Sequence, residues 1–179
     1  MTKFIPLLAI ISLTIFCKVA GRRIPPTRSP AVAATPQAST IQDYLDAHNK
    51  ARTEVKVPPM KWSNDLAKAA SMQVRYQRDY KNCSFANLES SQYGGNQLWA
   101  SGYKVTPQIV VESWVAEKKF YKYADNSCAP NHGCGVYTQI VWKDSTELGC
   151  AQGICTKNQS SLTICYYNPP GNFVGEKPY

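Results

Sequence analysis

Apolar positions repeat with helical spacing through the first two thirds of the chain and with strand-like composition through the last third. Ile41, Leu45 and His48 recur at intervals of four and three, one face of a helix that must end before Pro58-Pro59. Thr40 with Asp43 predicts a capping box at its start. Ser63 is a good N-cap for a second helix running toward Tyr80, with Leu66, Ala69, Ala70, Val74 and Gln77 on one broad arc. Thr106-Pro107, a cap followed by proline at the first helical position, opens a third. Its predicted face is Ile109, Val110, Ser113, Trp114, Glu117, Phe120 and Tyr121. Gly135 to Lys143, Leu148 to Cys155 and Leu162 to Tyr167 are rich in β-branched and aromatic residues, which predicts three strands. Their short connections favour antiparallel pairing. Helices first and strands after, with no internal repeat, predict an α+β domain with helices packed on a small sheet.

The N-terminus adds a compartment to this picture. Lys3, the uncharged apolar stretch Phe4 to Cys17, and small residues at Val19, Ala20 and Gly21 read as a signal peptide over residues 1–21. Residues 22–39, with Pro25, Pro26, Pro30 and Pro36, read as a linker too poor in apolar side chains to repay the entropy of ordering it. The folded domain is expected over residues 40–179. Losing the signal removes Lys3 and Lys18, lowering the formal charge of +8 by two, and half of the remainder sits on Arg22, Arg23 and Arg28. The domain itself is only mildly basic, which argues against a nucleic-acid partner. No apolar run is long enough to span a bilayer. Removing Cys17 leaves six cysteines, and an even number in an oxidising compartment implies three disulfides. Spacing alone does not choose their connectivity.

Several segments occur together in a telling order: His48-Asn49-Lys50-Ala51-Arg52, Tyr93-Gly94 with Asn96, and Trp114 with Glu117-Lys118. Cys134-Gly135 then precedes Tyr137-Thr138-Gln139-Ile140-Val141-Trp142, followed by Leu148-Gly149-Cys150-Ala151 and a Pro169-Pro170-Gly171-Asn172 to Pro178-Tyr179 ending. Over residues 40–179 this resembles the CAP family of cysteine-rich secretory proteins, antigen 5 and pathogenesis-related protein 1. Within it the chain looks like the plant pathogenesis-related protein 1 type, and Asn96-Gln97-Leu98-Trp99 with Cys134-Gly135-Val136-Tyr137 suggests the pistil-expressed subgroup. The resemblance implies an α-β-α sandwich, with a small antiparallel sheet between helical layers. It also implies the pairs Cys83–Cys155, Cys128–Cys134 and Cys150–Cys165.

Many relatives carry two His and two Glu in a central cleft, a set able to hold a divalent metal. Carried over residue by residue, those positions are Asn87, Gly95, Glu117 and Val136. Only the glutamate of the third helix survives, and one carboxylate cannot hold a metal alone. The expectation is therefore no metal, no cofactor and no catalytic residue. His48, on an apolar helical stripe, reads as a packed, hydrogen-bonded core residue, and His132 as solvated. Glu117, on an apolar face, reads as a carboxylate held by backbone amides or a tyrosine hydroxyl, the competing reading being an altered cleft that binds something polar.

Three further features bear on function. The ending 169–179 resembles the family's C-terminal signalling peptide, which implies a cut between Asn168 and Pro169, or else a tail that packs. Phe120, Tyr121, Tyr123 and Tyr137 surround a loop that the family resemblance links to sterol binding, though aromatics at such spacing are commonly core. Asn82-Cys83-Ser84 and Asn158-Gln159-Ser160 are glycosylation sequons, of which Asn158 is the better placed. Together these predict a monomeric protein secreted to the apoplast or cell wall. It would act in defence or reproduction, without enzymatic activity, by binding a sterol or other apolar molecule, a protein partner or receptor, or both. A peptide precursor and a hydrolase are the competing readings, the last disfavoured by Asn87, Gly95 and Val136.

Overall fold

The computed structural model describes residues 36–179 except Tyr103 and Asn158, together with the backbone alone of Pro36 and Ala38. The expected signal peptide, the expected linker up to residue 35 and Asn158 of the second sequon lie outside the described residues.

Helix α1 spans Pro36–Glu54, so Thr40 and Asp43 lie inside it and not at its cap. The expected linker boundary at Ser39 therefore falls within the helix. Proline is pre-organised for a first helical turn, and Gln37 and Ala38 are good helix formers. Helix α2, Asn64–Tyr80, starts as predicted: the Ser63 hydroxyl accepts from the Leu66 amide at 3.5 Å. It buries Leu66, Ala70, Val74 and Gln77. Helix α3, Pro107–Val115, is capped by Thr106 and buries Val110, Val111 and Trp114. The predicted face does not continue, because Ala116–Phe120 tightens into a 3-10 turn. The Ala116 amide is shared between the Glu112 and Trp114 carbonyls, the local mark of that tightening. Ser113, still within α3, is exposed, and Glu117 and Phe120, in the tightened turn, are half-buried.

The sheet is shared differently from expectation. Its strands are β1 (Lys61–Trp62), β2 (Gly94–Ser101), β5 (Glu147–Cys155) and β6 (Ser160–Asn168), in the order β1-β5-β6-β2. Strand β2, not predicted, pairs antiparallel along β6 from Gly94↔Tyr167 to Ser101↔Ser160, and β1 pairs parallel to β5. Strands β3 (Tyr121–Lys122) and β4 (Ser127–Cys128) form a separate small ribbon. The predicted strand at Gly135–Lys143 is instead helix α4, Gly135–Ile140. Tyr137, Ile140 and Val141 bury together at spacings of three and four, so tertiary packing overrides β-branched composition.

Side chains alternate across β6 and divide the core in two. Leu162, Ile164 and Tyr166 meet α2, with Leu66, Ala70 and Val74, while Cys165 and Tyr167 meet Val110, Val111 and Trp114 of α3 and Ile140 of α4. The result is an α-β-α sandwich. Gly149 is required where α2 crosses β5, since a Cβ there would collide with the Ala67 backbone. The pairs are Cys83–Cys155, Cys128–Cys134 and, across the β5–β6 ladder, Cys150–Cys165.

One buried cation ties the first helix to the last third of the chain. Arg52 is fully buried, and its guanidinium donates to the carbonyls of Pro58, Ile140, Trp142, Lys143 and Ser145 at 2.6–3.3 Å. Burial lowers its pKa to about 10, which still leaves it charged at neutral pH.

Candidate functional site

The loop after α2 brings Asn87 to the sheet. Cys83 fixes its start, and Gln97 of β2 clamps Ala86, accepting from its amide at 2.8 Å and donating to its carbonyl at 2.9 Å. Gly95 lies on β2 opposite Tyr166, and Val136 in the first turn of α4. Asn87, Gly95 and Val136 thus line one open cavity of roughly 440 Å³, together with Leu88, Glu89 and Gln97. Its chemistry is not that of a metal cradle. The Asn87 Oδ1 accepts from the Glu89 amide at 3.0 Å, closing a local turn. A Cβ on Gly95 would run into the Leu88 side chain, so an aliphatic group occupies the space beside this strand position.

Glu117 approaches the same region from behind. It is not among the residues lining the cavity; its Oε2 accepts from the Val136 amide at 3.1 Å and the Tyr137 amide at 3.5 Å. A carboxylate there satisfies amides that the first turn of α4 leaves without helical partners. Among the described residues, no three His, Cys, Asp or Glu side chains gather as a metal-binding set.

A polar chain runs from the cavity wall into the core. The Asn96 amide nitrogen donates to the Val136 carbonyl at 2.9 Å and to the Tyr167 hydroxyl at 3.1 Å. Tyr167 and His48 Nε2 are 2.9 Å apart, and His48 Nδ1 lies 2.8 Å from the Tyr44 carbonyl. A carbonyl only accepts, so Nδ1 carries the proton and Nε2 accepts from the tyrosine hydroxyl. Burial pushes the His48 pKa down to about 4, opposed by the Tyr44 carbonyl and reinforced by the charge of Arg52. Burial likewise raises Tyr167 well above the phenol range. His132 is exposed and stacks on Phe120 with ring centroids 3.6 Å apart. The two histidines serve different neighbours and do not converge on Glu117.

Most of the aromatic stretch is engaged by the fold itself. The Tyr121 hydroxyl donates to Asn126 Oδ1 at 2.8 Å, Tyr137 is buried, and Tyr123 stacks on Tyr179 at 4.6 Å. The small cavity beside it, about 280 Å³, takes one wall from the tail residues Phe173, Val174 and Pro178. That tail is held along its length. Gly171 donates to Gln139 Oε1 at 3.0 Å, Asn172 bonds Gly135 and Thr138, and the Pro178 carbonyl accepts from the Lys143 amide at 2.7 Å. A cut after Asn168 would leave residues 169–179 attached by these bonds. Asn82 is exposed at the end of α2, in a left-handed backbone conformation beside Cys83.

Two features were beyond sequence reasoning. The pattern places Tyr167 at the end of a strand, and only the fold puts its hydroxyl between Asn96 and His48. The second is an apolar cleft of about 250 Å³ between α1 and α3, with Ala47, Ala51, Val111 and Val115 as its wall and Lys50 and Glu112 at its sides. The available signal was two alanines four apart facing two valines four apart, small residues that leave a slot.

A three-layer sandwich closed by these three disulfides defines the class: a compact cysteine-bridged domain with a cleft at the sheet edge. Residues 45–167 match the family described as the cysteine-rich secretory protein family, CAP, and the chain belongs to it, as a member of the plant pathogenesis-related protein 1 type. It is 66% identical over 138 residues to the STS14 protein of Solanum tuberosum, across 77% of this chain and 64% of that protein. The chain thus spans just under two thirds of that relative's length. Pathogenesis-related protein 1C of Nicotiana tabacum is 42% identical over 142 residues, covering 77% of this chain and 80% of its own. The fold matches venom allergen-like protein 4 of Schistosoma mansoni with a TM-score of 0.63 at 24% identity, over 78% of this chain and 93% of that one.

Proposed function

We propose that this is a secreted pathogenesis-related protein 1-like protein that works by holding an apolar small molecule, and not by catalysis. The observation that carries the reading is the cleft between α1 and α3, whose wall of Ala47, Ala51, Val111 and Val115 suits a sterol or acyl chain. Lys50 and Glu112 at its sides would meet a polar end of the ligand. The altered cavity supports the non-catalytic half: Asn87, Gly95 and Val136 offer no imidazole or carboxylate, and Leu88 occupies the space beside Gly95. Among the described residues no helix is long and apolar enough to cross a membrane. Defence is the setting that the names of the pathogenesis-related relatives suggest, and reproduction the one that the pistil-type motifs around Asn96 and Val136 suggest.

Titration of the purified protein with a fluorescent sterol and a fluorescent fatty acid tests this. Saturable binding at micromolar ligand is expected, lost when Ala47→Trp fills the slot from its half-buried rim. Absence of saturable binding, or binding that Ala47→Trp leaves intact, refutes the site. Near-stoichiometric zinc after dialysis would refute the non-catalytic reading.

A further inference from the structure

Strand β5 is paired along its whole length on one side and hardly at all on the other. Strand β6 matches it from Glu147↔Asn168 to Cys155↔Ser160, whereas β1 matches only Glu147 and Leu148. The chain then leaves the sheet, because Ser63 caps α2. Along an antiparallel pair, alternate residues turn both amide and carbonyl away from the partner strand. The Leu148 carbonyl accepts from the Ser63 amide at 2.8 Å and so points to the β1 side; Cys150, Gln152 and Ile154 follow it at two-residue steps. The α-carbons of Cys150 and Cys165 lie 4.0 Å apart, the close approach of a pair that does not exchange ladder bonds. Among the described residues, no strand pairs with β5 beyond Leu148 on this side.

Cys150, Ala151 and Gln152 of this open edge lie in a groove of about 560 Å³. A stripe of α1 from Gln37 to Tyr44 lines one side and a stripe of α2 from Asn64 to Ser71 the other, each stepping by three, one and three residues. The α1 side is apolar toward the sheet, with Ile41 half-buried and Tyr44 buried; the α2 side is short and polar, with Ala67 and Ser71 half-buried. Trp62 also lines the groove, where β1 ends, and its buried indole N–H has no acceptor among the described residues.

We propose that this groove takes up an extended peptide segment of a partner protein, which adds to the sheet at the open edge of β5. Amides and carbonyls recurring every second residue, about 6.8 Å apart, are matched by the backbone of another strand. A guest of about five residues would pair from Cys150 to Ile154, prolonging the line that β1 begins. Its side chains would alternate, apolar ones toward Ile41 and Tyr44 and small polar ones toward Ala67 and Ser71. The site is separate from the apolar cleft between α1 and α3, so either can fail without the other.

Amide hydrogen exchange of the full-length secreted protein, read residue by residue by NMR, tests it. In the free protein the Cys150, Gln152 and Ile154 amides should exchange at least about tenfold faster than those of Ala151 and Gly153, which face β6. The probe is a capped peptide of alternating valine and threonine; it should bind saturably and slow the three edge amides at least about fivefold. The same peptide N-methylated at every residue should not bind, since it has no backbone donors left. Gln152→Pro removes one edge donor where an edge strand tolerates proline, and should weaken binding at least about fivefold, while Gln152→Ala keeps the amide and should bind as the wild type. If Gln152→Pro does not fold, the methylated peptide decides. Edge amides as slow as their neighbours in the free protein, no saturable binding, equal binding of the methylated peptide, or a folded Gln152→Pro variant that binds normally overturns the proposal. Edge protection that appears only as the protein self-associates would make this a contact between copies, and overturns it as well.

Discussion

Acid should destabilise this domain through one histidine. His48 is fully buried, with both ring nitrogens in use, and its pKa in the folded protein is about 4 against an ordinary 6.5. As pH falls through 6.5 the unfolded chain takes up a proton that the folded one refuses until about pH 4. Stability is therefore complete above pH 6.5 and is lost progressively down to pH 4. At about 1.4 kcal/mol per pH unit the loss is about 3 kcal/mol in all, with about 2 kcal/mol gone by pH 5. That is a large share of the roughly 5–15 kcal/mol holding a typical domain. The assay is urea unfolding at a series of pH values between 4 and 7.5, on the wild type and on His48→Gln, whose side chain can still accept from Tyr167 but does not titrate. The variant should be less stable at pH 7 and flatter with pH, the two curves converging by about 3 kcal/mol toward pH 4. Carboxylates titrate in both proteins and cancel. Parallel curves would refute the reasoning.

Other perturbations have equally definite outcomes. Arg52→Met should cost about 3–5 kcal/mol in denaturant unfolding, because carbonyls that now share one guanidinium would be buried without donors; Arg52→Lys should restore little, lacking the planar fork. Gly95→Glu restores a family carboxylate but forces Leu88 aside, so it should destabilise by about 1–3 kcal/mol and bind no zinc, while Leu88→Ala in the same chain should recover much of the loss. Ending the chain at Asn168 should cost several kcal/mol, on the order of 1 kcal/mol for each tail hydrogen bond, and lower the melting temperature accordingly. An unchanged melting temperature would show the tail to be dispensable and favour its release as a peptide.

How much of this was legible beforehand varies by element, for physical reasons. Helix α2 could be read because its cap, Ser63, and its buried face, Leu66 to Gln77, are both local. Helix α4 could not, because Val136, Thr138, Ile140 and Val141 favour strands in isolation. What makes them helical is distant: the Glu117 carboxylate on the first-turn amides and the burial of Tyr137 beneath them. Strand β2 begins with two glycines and shows little alternation, so only its pairing with β6 defines it. The candidate positions and their meeting in one cleft were readable from family resemblance alone; local pattern could not have joined them, since Asn87, Gly95 and Val136 come from a loop, a strand and a helix. Leu88, which sets the character of that cavity, carried no signal at all.

The reach of Arg52 also bears on how the chain matures. Its side chain leaves a helix near the start of the domain and is satisfied by carbonyls 88 to 93 positions later. A ribosome delivers those acceptors late, so α1 waits with an unhoused cation while most of the polypeptide emerges. Sandwich closure is then a single late event that fragments ending before Ser145 cannot complete, and such fragments should remain with folding chaperones.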